Sequence, residues 1–223
     1  MPELILPGGS DRTVVIGGTG TGKTILAAFI LSKQRWEERP WVIIEFKDEP
    51  IWNKVGEPPI IPLTLNKLPT KKRGLFKLSV FPGQEEELEE WLWKVWRHEN
   101  IGLFCDEVSL LDSKNAFKAI LRQGRSKRIP VIGCTQRPVD CDREIFTESQ
   151  YIVVFPGLDE RDLKTVKGFT RKAPIERPLK EHWSYWYDKK RNATIVLQPV
   201  PPPDSIAASI KAAVPYTFNF WGR

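Results

Sequence analysis

Apolar residues fall into short continuous runs separated by longer stretches in which they recur every third or fourth position. Residues 13–17, 41–46, 101–105, 130–135 and 151–155 are runs of the first kind. Their unbroken apolar character predicts strands buried on both faces. A further strand is expected at 77–81. Between them, 22–36, 84–99, 113–125, 142–148 and 159–167 read as helices. The 84–99 segment is the clearest, with Leu88, Trp91, Leu92, Val95 and Trp96 on one face, acidic residues at its start and Lys94, Arg97 and His98 at its end. Strand alternating with helix predicts an α/β fold with a mostly parallel central sheet. The Pro- and Lys-rich segment 50–75 breaks the alternation and reads as an irregular insertion with short extended pieces. Runs at 183–187 and 194–198 flank Asp188-Lys189-Lys190-Arg191-Asn192 and predict a β-hairpin. Pro199-Val200-Pro201-Pro202-Pro203 then reads as a stiff spacer. The expected organisation is one domain over 1–198, with its core at about 11–168 and the hairpin at about 182–198. A spacer and tail follow over 199–223, with a weak helix at 205–213 and aromatics at Tyr216, Phe218, Phe220 and Trp221.

Composition narrows this picture modestly. At 223 residues and 41% hydrophobic, the chain can bury one substantial core. A net charge of +6 is compatible with a polyanionic partner. Cys105, Cys134 and Cys141 lack C-x-x-C spacing, and two of them sit within or at the end of apolar runs, so they read as small hydrophobes in a reducing compartment. Two histidines are too few for a histidine-based metal site. No apolar run approaches the ~20 residues that span a bilayer, and the N-terminus has no signal-peptide pattern. The nine tryptophans fall mostly at helix or strand spacing and read as core or subunit-interface packing rather than base-stacking platforms.

The chemistry starts at Gly17-Gly18-Thr19-Gly20-Thr21-Gly22-Lys23-Thr24, which fits the phosphate-binding pattern G-x-x-x-x-G-K-[ST]. A β-branched run, Thr13-Val14-Val15-Ile16, precedes it and an apolar helical stretch follows, the context such a loop requires. Glycines let backbone N–H groups turn toward phosphate oxygens, and the helix adds the positive end of its dipole. Lys23 would contact the β- and γ-phosphates, and Thr24 would ligate Mg2+. Ile101-Gly102-Leu103-Phe104-Cys105-Asp106-Glu107 fits a second element, the Walker B strand. There Asp106 would hold Mg2+ through its water shell, and Glu107 would polarise the attacking water. The strand 130–135 ends in Gln136, whose amide either points at the γ-phosphate and water or caps a loop.

Gly124-Arg125, a strand, and Thr135-Gln136-Arg137-Pro138, following the Walker pair in that order, resemble the FtsK–HerA superfamily of DNA-pumping ATPases over about residues 13–155. The resemblance implies a RecA-like (ASCE) P-loop core with the sensor strand between the P-loop strand and the Walker B strand. It also implies ATP as substrate with Mg2+, Gln136 as sensor, and a homo-oligomeric ring with nucleotide at the subunit interfaces. An arginine reaching the neighbour's γ-phosphate is expected. Arg122, Arg125, Arg128 and Arg137 are candidates, and Arg125 matches the family's Gly-Arg position best. The short chain, without an N-terminal barrel or a winged-helix module, looks most like the genome-packaging ATPases of membrane-containing icosahedral double-stranded DNA viruses.

Basic clusters at Lys71-Lys72-Arg73, 122–128 and 189–191 suit contacts to a phosphate backbone without base reading, and the 69–74 loop is a candidate pore loop or an ordinary exposed loop. The expected function is ATP-driven translocation of double-stranded DNA into a preformed capsid. Capsid or portal-vertex proteins are then partners, and the virion packaging vertex and host cytoplasm the locations. Three alternatives stay open on sequence: a conjugation, plasmid-mobilisation or phage-assembly motor of the same superfamily, a nucleotide-dependent scaffold with little turnover, and a nucleoside kinase. The paired Asp106-Glu107 argues against the last two.

Overall fold

A computed structural model describes residues 4–111, 115–170, 175 and 177–214. Its centre is a nine-stranded sheet. In chain order the strands are β1 (Arg12–Ile16), β2 (Pro40–Glu45), β3 (Ile60–Leu63), β4 (Gly74–Ser79), β5 (Gly102–Cys105), β6 (Val131–Thr135), β7 (Tyr151–Val154), β8 (Ser184–Asp188) and β9 (Ala193–Leu197). Their spatial order is β3-β4-β2-β5-β6-β1-β7-β8-β9. The pairs from β3 through β7 are all parallel, and the β8–β9 hairpin adds antiparallel to β7. The sensor strand β6 lies between β1 and β5, as the family resemblance implies.

Side chains alternate across each strand, and both faces are covered. Helices α1 (Lys23–Ser32), α2 (Pro50–Val55) and α7 (Pro203–Ala213) pack on one face, over Val15, Ile43, Phe104, Ile132 and Val153. Helices α3 (Glu85–His98), α4 (Asn115–Gln123), α5 (Arg143–Glu148) and α6 (Glu160–Thr170) cover the other, over Val14, Ile16, Val42, Ile44 and Leu103. Helix α1 is apolar nearly all round because it is enclosed between the sheet and α7. Five tryptophans, Trp36, Trp41, Trp52, Trp91 and Trp186, are buried at 2% exposure or less and serve packing. Cys105 and Cys134 are buried free thiols, and Cys141 is partly exposed.

The 50–75 segment departs from expectation in part. The edge strand β3 is one of the short extended pieces expected there, but the segment also holds α2, and β4 begins at Gly74 rather than at residue 77. Pro50 presets the first turn of α2, and Pro62 is tolerated because β3 is an edge strand with only one partner. The weak helix expected at 205–213 is α7, longer by two residues at its start. Its Ile206, Ala207 and Ile210, with Val214, are buried in the core beside α1 and α2. The tail aromatics Tyr216, Phe218, Phe220 and Trp221 lie outside the described residues, as does the expected start of α4 at Ser113.

Gly102 opens β5 where the Trp41 ring of β2 leaves no room. A Cβ there would lie 2.4 Å from the ring. Trp41 is 1% exposed and cannot move aside cheaply. Gly102→Ala is expected to destabilise the fold by about 1–3 kcal/mol, as overpacking of a tight core does, read as a lower urea midpoint with an unchanged slope.

Candidate nucleoside-triphosphate site

Register brings the site together. Ile16 pairs with Thr135 and Cys105 with Gly133, so β1, β6 and β5 end at nearly one level. The loop 17–22 leaves β1 there, its first amide donating to the Thr135 carbonyl at 3.2 Å. Gly17 has no space for a side chain: a Cβ would meet Thr21 Oγ1 at 2.6 Å and Phe155 Cβ at 2.8 Å. Gly22 stands at φ 97 as the residue before α1, a conformation L side chains rarely adopt, and no side chain caps the helix. The first amides of α1 therefore lack a side-chain cap and carry the positive end of the dipole, which suits an anion. Lys23 and Thr24 are the first helical residues, 7% and 8% exposed.

Asp106 and Glu107 follow β5 and are 3% and 5% exposed. The Phe46 amide donates to Asp106 Oδ1 at 3.3 Å, while Oδ2 is buried with no hydrogen-bond partner among the described residues. Burial pushes the Asp106 carboxyl up to about 7. The Phe46 hydrogen bond opposes the rise, and Glu45 and Glu49 add to it as like charges. An orphaned, like-charge-crowded carboxylate oxygen at a strand end one strand away from the P-loop strand fits a divalent cation accompanying a triphosphate. Glu107 is held on both oxygens: Ser109 Oγ donates to Oε1 at 2.9 Å and Lys47 Nζ stands 3.5 Å from Oε2. Thr19 Oγ1 donates to Gln136 Oε1 at 2.9 Å, which joins the sensor strand to the P-loop.

Several residues here escaped the sequence reading. Glu45, Lys47 and Glu49 come from the end of β2 and the turn after it, because β2 neighbours β5. Glu45 is buried, pairs with Lys77 at 3.2 Å and accepts the Glu49 amide at 3.0 Å. Burial raises the Glu49 carboxyl, against the pull of nearby Lys23 and Lys47. His182, just before β8, has its Nδ1 3.1 Å from the Thr21 carbonyl. The only sequence signal for the first group was the charged run Glu45-Phe46-Lys47-Asp48-Glu49 closing an apolar strand.

Arg125 is not brought to this site. It is exposed, in the turn between α4 and β6, and its charge acts on Arg12 at the start of β1. From there to the P-loop is the length of a strand, about 13 Å at the usual rise. Gly124 makes that turn: a Cβ would strike the Ile120 carbonyl at 2.3 Å. Arg122 pairs with Glu144, and Arg137 stands 3.5 Å from Asp162. Lys71, Lys72 and Arg73 are exposed just before β4, hence also at the N-terminal end of the parallel strands. The hairpin turn is at that same end, since Asp188 pairs with Tyr151. There Lys189 donates to the Phe146 and Thr147 carbonyls, closing the end of α5, and Arg191 pairs with Asp188.

Sheet order, P-loop and the convergence of three strand ends define a RecA-like P-loop nucleoside triphosphatase. Over 214 residues the chain is 32% identical to the DNA packaging ATPase P9 of Enterobacteria phage PRD1, a match spanning 91% of this chain and 93% of that protein. The chain belongs to the family of that viral packaging ATPase. The genome packaging NTPase B204 of Sulfolobus turreted icosahedral virus 2, solved with AMPPCP, superposes with a TM-score of 0.69 at 17% identity, over 87% of this chain and 100% of that one. The pCW3 conjugation coupling protein TcpA, solved with ATPγS, gives 0.59 at 14% identity over 89% of this chain and 64% of that one. No family model matches the chain.

The Asp106 carboxyl is raised in the fold, so the folded state holds its proton longer than the unfolded chain does. Metal-free protein is then expected to lose stability as pH rises from about 4 to about 7, by on the order of 2–4 kcal/mol, and to gain it back below that window. Asp106→Asn should flatten this slope and raise the urea midpoint at pH 8, measured in chelator.

Proposed function

We propose that this protein is an ATP-hydrolysing motor that moves double-stranded DNA into a viral capsid, acting at the packaging vertex after synthesis in the host cytoplasm. The observation that carries the reading is the meeting of Lys23, Thr24, Asp106, Glu107 and Gln136 at three adjacent strand ends, two of those carboxylates buried. Family membership supplies the direction of the work. The P-loop amides 17–22 and Lys23 hold the phosphates. Thr24 and Asp106 hold Mg2+, which when bound neutralises phosphate charge. Glu107 orients and deprotonates the attacking water, its Oε1 fixed by Ser109. Lys47 must release Oε2 for that, and its half-exposed side chain has room to swing. Gln136, tied to Thr19, places its amide where water and γ-phosphate meet.

Arg125 acts in trans. A strand's length separates it from its own P-loop, so within a homo-oligomeric ring its target is the neighbour's γ-phosphate, where charge spreads in the transition state. Lys71, Lys72 and Arg73 contact the DNA backbone without reading bases, as a motor indifferent to sequence requires. Capsid or portal proteins are the remaining partners. Among the described residues no helix is long and apolar enough to cross a membrane.

Glu107→Gln is expected to lower kcat about 10²–10⁴-fold, the usual worth of a positioned base, with ATP affinity within a few-fold by equilibrium titration. Unchanged turnover defeats the assignment. For Arg125, mixing supplies the test: Arg125→Ala subunits alone should hydrolyse ATP about 10³-fold more slowly or worse. Added to Lys23→Ala subunits, which keep the arginine but not the site, they should regain activity. Mixed rings with no recovery remove the trans role.

A further inference from the structure

Gln136 leaves β6 on a short arch, residues 136–141, that α6 holds from the side. At one foot the Arg137 amide donates to Thr135 Oγ1 at 3.2 Å, and Cys141 Sγ returns to the same oxygen at 3.3 Å. Thr135 is wholly buried at the end of β6. The top is the turn Pro138–Asp140, closed by the Asp140 amide on the Arg137 carbonyl at 3.0 Å and the Cys141 amide on the Pro138 carbonyl at 3.2 Å. Pro138 is buried, fixes its own φ and restricts Arg137 before it. The arch also rests on Asp162. Oδ1 accepts the Val139 amide at 2.9 Å, and Oδ2 faces Arg137 Nε at 3.5 Å. One carboxylate thus holds the residues on both sides of Pro138.

Asp162 is the third residue of α6 and is 2% exposed. A carboxylate is costly to bury unless hydrogen bonds and a partner compensate it. Capping its own helix does not account for it, because Asp159 does that: Asp159 Oδ1 accepts the Asp162 amide and the Asp159 carbonyl accepts the Leu163 amide, each at 2.9 Å. The Asp162 side chain instead faces out of α6 toward the arch. Its base is firm, since Val166 is in the core and Phe169 stacks on Phe146 of α5 with ring centres 4.9 Å apart.

The consequence falls on Gln136. Thr19 Oγ1 occupies Oε1, which leaves Nε2 to donate. A donor aimed at developing charge works only when held within about 0.5 Å of its productive place. Resting on the sensor reading of Gln136, we propose that Asp162 is a positioning residue for ATP hydrolysis, fixing the arch so that the Gln136 amide meets the γ-phosphate. The Val139 hydrogen bond carries the effect. The Arg137 side chain is more than half exposed, and such an ion pair contributes little.

The test measures kcat and equilibrium ATP affinity on the full chain. Gln136→Ala should lower kcat about a hundredfold or more, the usual cost of a lost transition-state donor. Asp162→Ala should lower kcat about ten- to a hundredfold, the cost of a displaced group, with ATP affinity within about twofold. The loss should vanish in the Gln136→Ala background, leaving the double variant within about twofold of Gln136→Ala alone. Asp162→Asn keeps an oxygen for the Val139 amide and should restore kcat to within about threefold of the unsubstituted protein. Full turnover in Asp162→Ala overturns the proposal, as does an additive loss in the double variant or an Asn variant as slow as the Ala one. Should Asp162→Ala not fold, Asp162→Ser, whose hydroxyl falls short of the arch, replaces it with the same expectations. Gln136→Ala separates the two readings. Full turnover there means that the sensor assignment fails, and the positioning role with it. A slow Gln136→Ala beside a fully active Asp162→Ala defeats the positioning role alone.

Discussion

Everything at the nucleotide site depends on one constraint, the parallel register that ends β1 and β6 together and β5 two residues earlier. Strand hydrogen bonds fix that register to the residue, and a slip by one would turn every side chain to the other face. Buried Val, Ile and Cys side chains on both faces forbid the slip. The P-loop, the Asp-Glu pair and Gln136 can thus sit on short turns and still be held closely, because the rigid part is the sheet beneath them.

The same register forces carboxylates together. Glu45, Glu49, Asp106 and Glu107 come from neighbouring strand ends, three of them almost wholly buried. Lys77 offsets Glu45, and Lys47 faces Glu107. Asp106 Oδ2 has no hydrogen-bond partner among the described residues, and burial raises its carboxyl. Such a group is tolerated where a cation is expected to complete it, which is why the site is read as one that works with a metal-bound triphosphate rather than as an acidic turn.

Parallel strands also sort the molecule into two ends. Nucleotide chemistry lies at the C-terminal end, while Arg125, Arg128 and Lys71–Arg73 are at the other. Part of that basic end is structural: Lys189 and Arg191 are occupied within the fold, and buried Arg39 donates to the Gly9 and Arg128 carbonyls. In the proposed motor, a phosphate contact and an active-site contact both need exposed cations. Arg125 and the 71–73 loop are exposed at that end and are the cations the proposed motor would use.

Local sequence determined a great deal. Apolar runs gave the strands β1, β2, β5, β6 and β7, because a strand buried on both faces leaves an unmistakable run. The P-loop and the Asp106-Glu107 pair were legible because their geometry is carried by consecutive residues. Helix α2 and the exact place of β3 were not, since prolines mask the pattern there and an edge strand needs only one good partner. Tertiary structure alone decided what stands beside the consecutive motifs. Lys47 and Glu49 reach Asp106 only because β2 neighbours β5, and His182 meets Thr21 across 161 positions of chain. The proline-rich segment 199–203 faces α1 across a cleft because β9 and α7 hold its two ends. These are adjacencies made by strand order and helix packing, and no local pattern encodes them. The same holds for Arg125, whose residue type was visible but whose distance from its own P-loop is a property of the sheet.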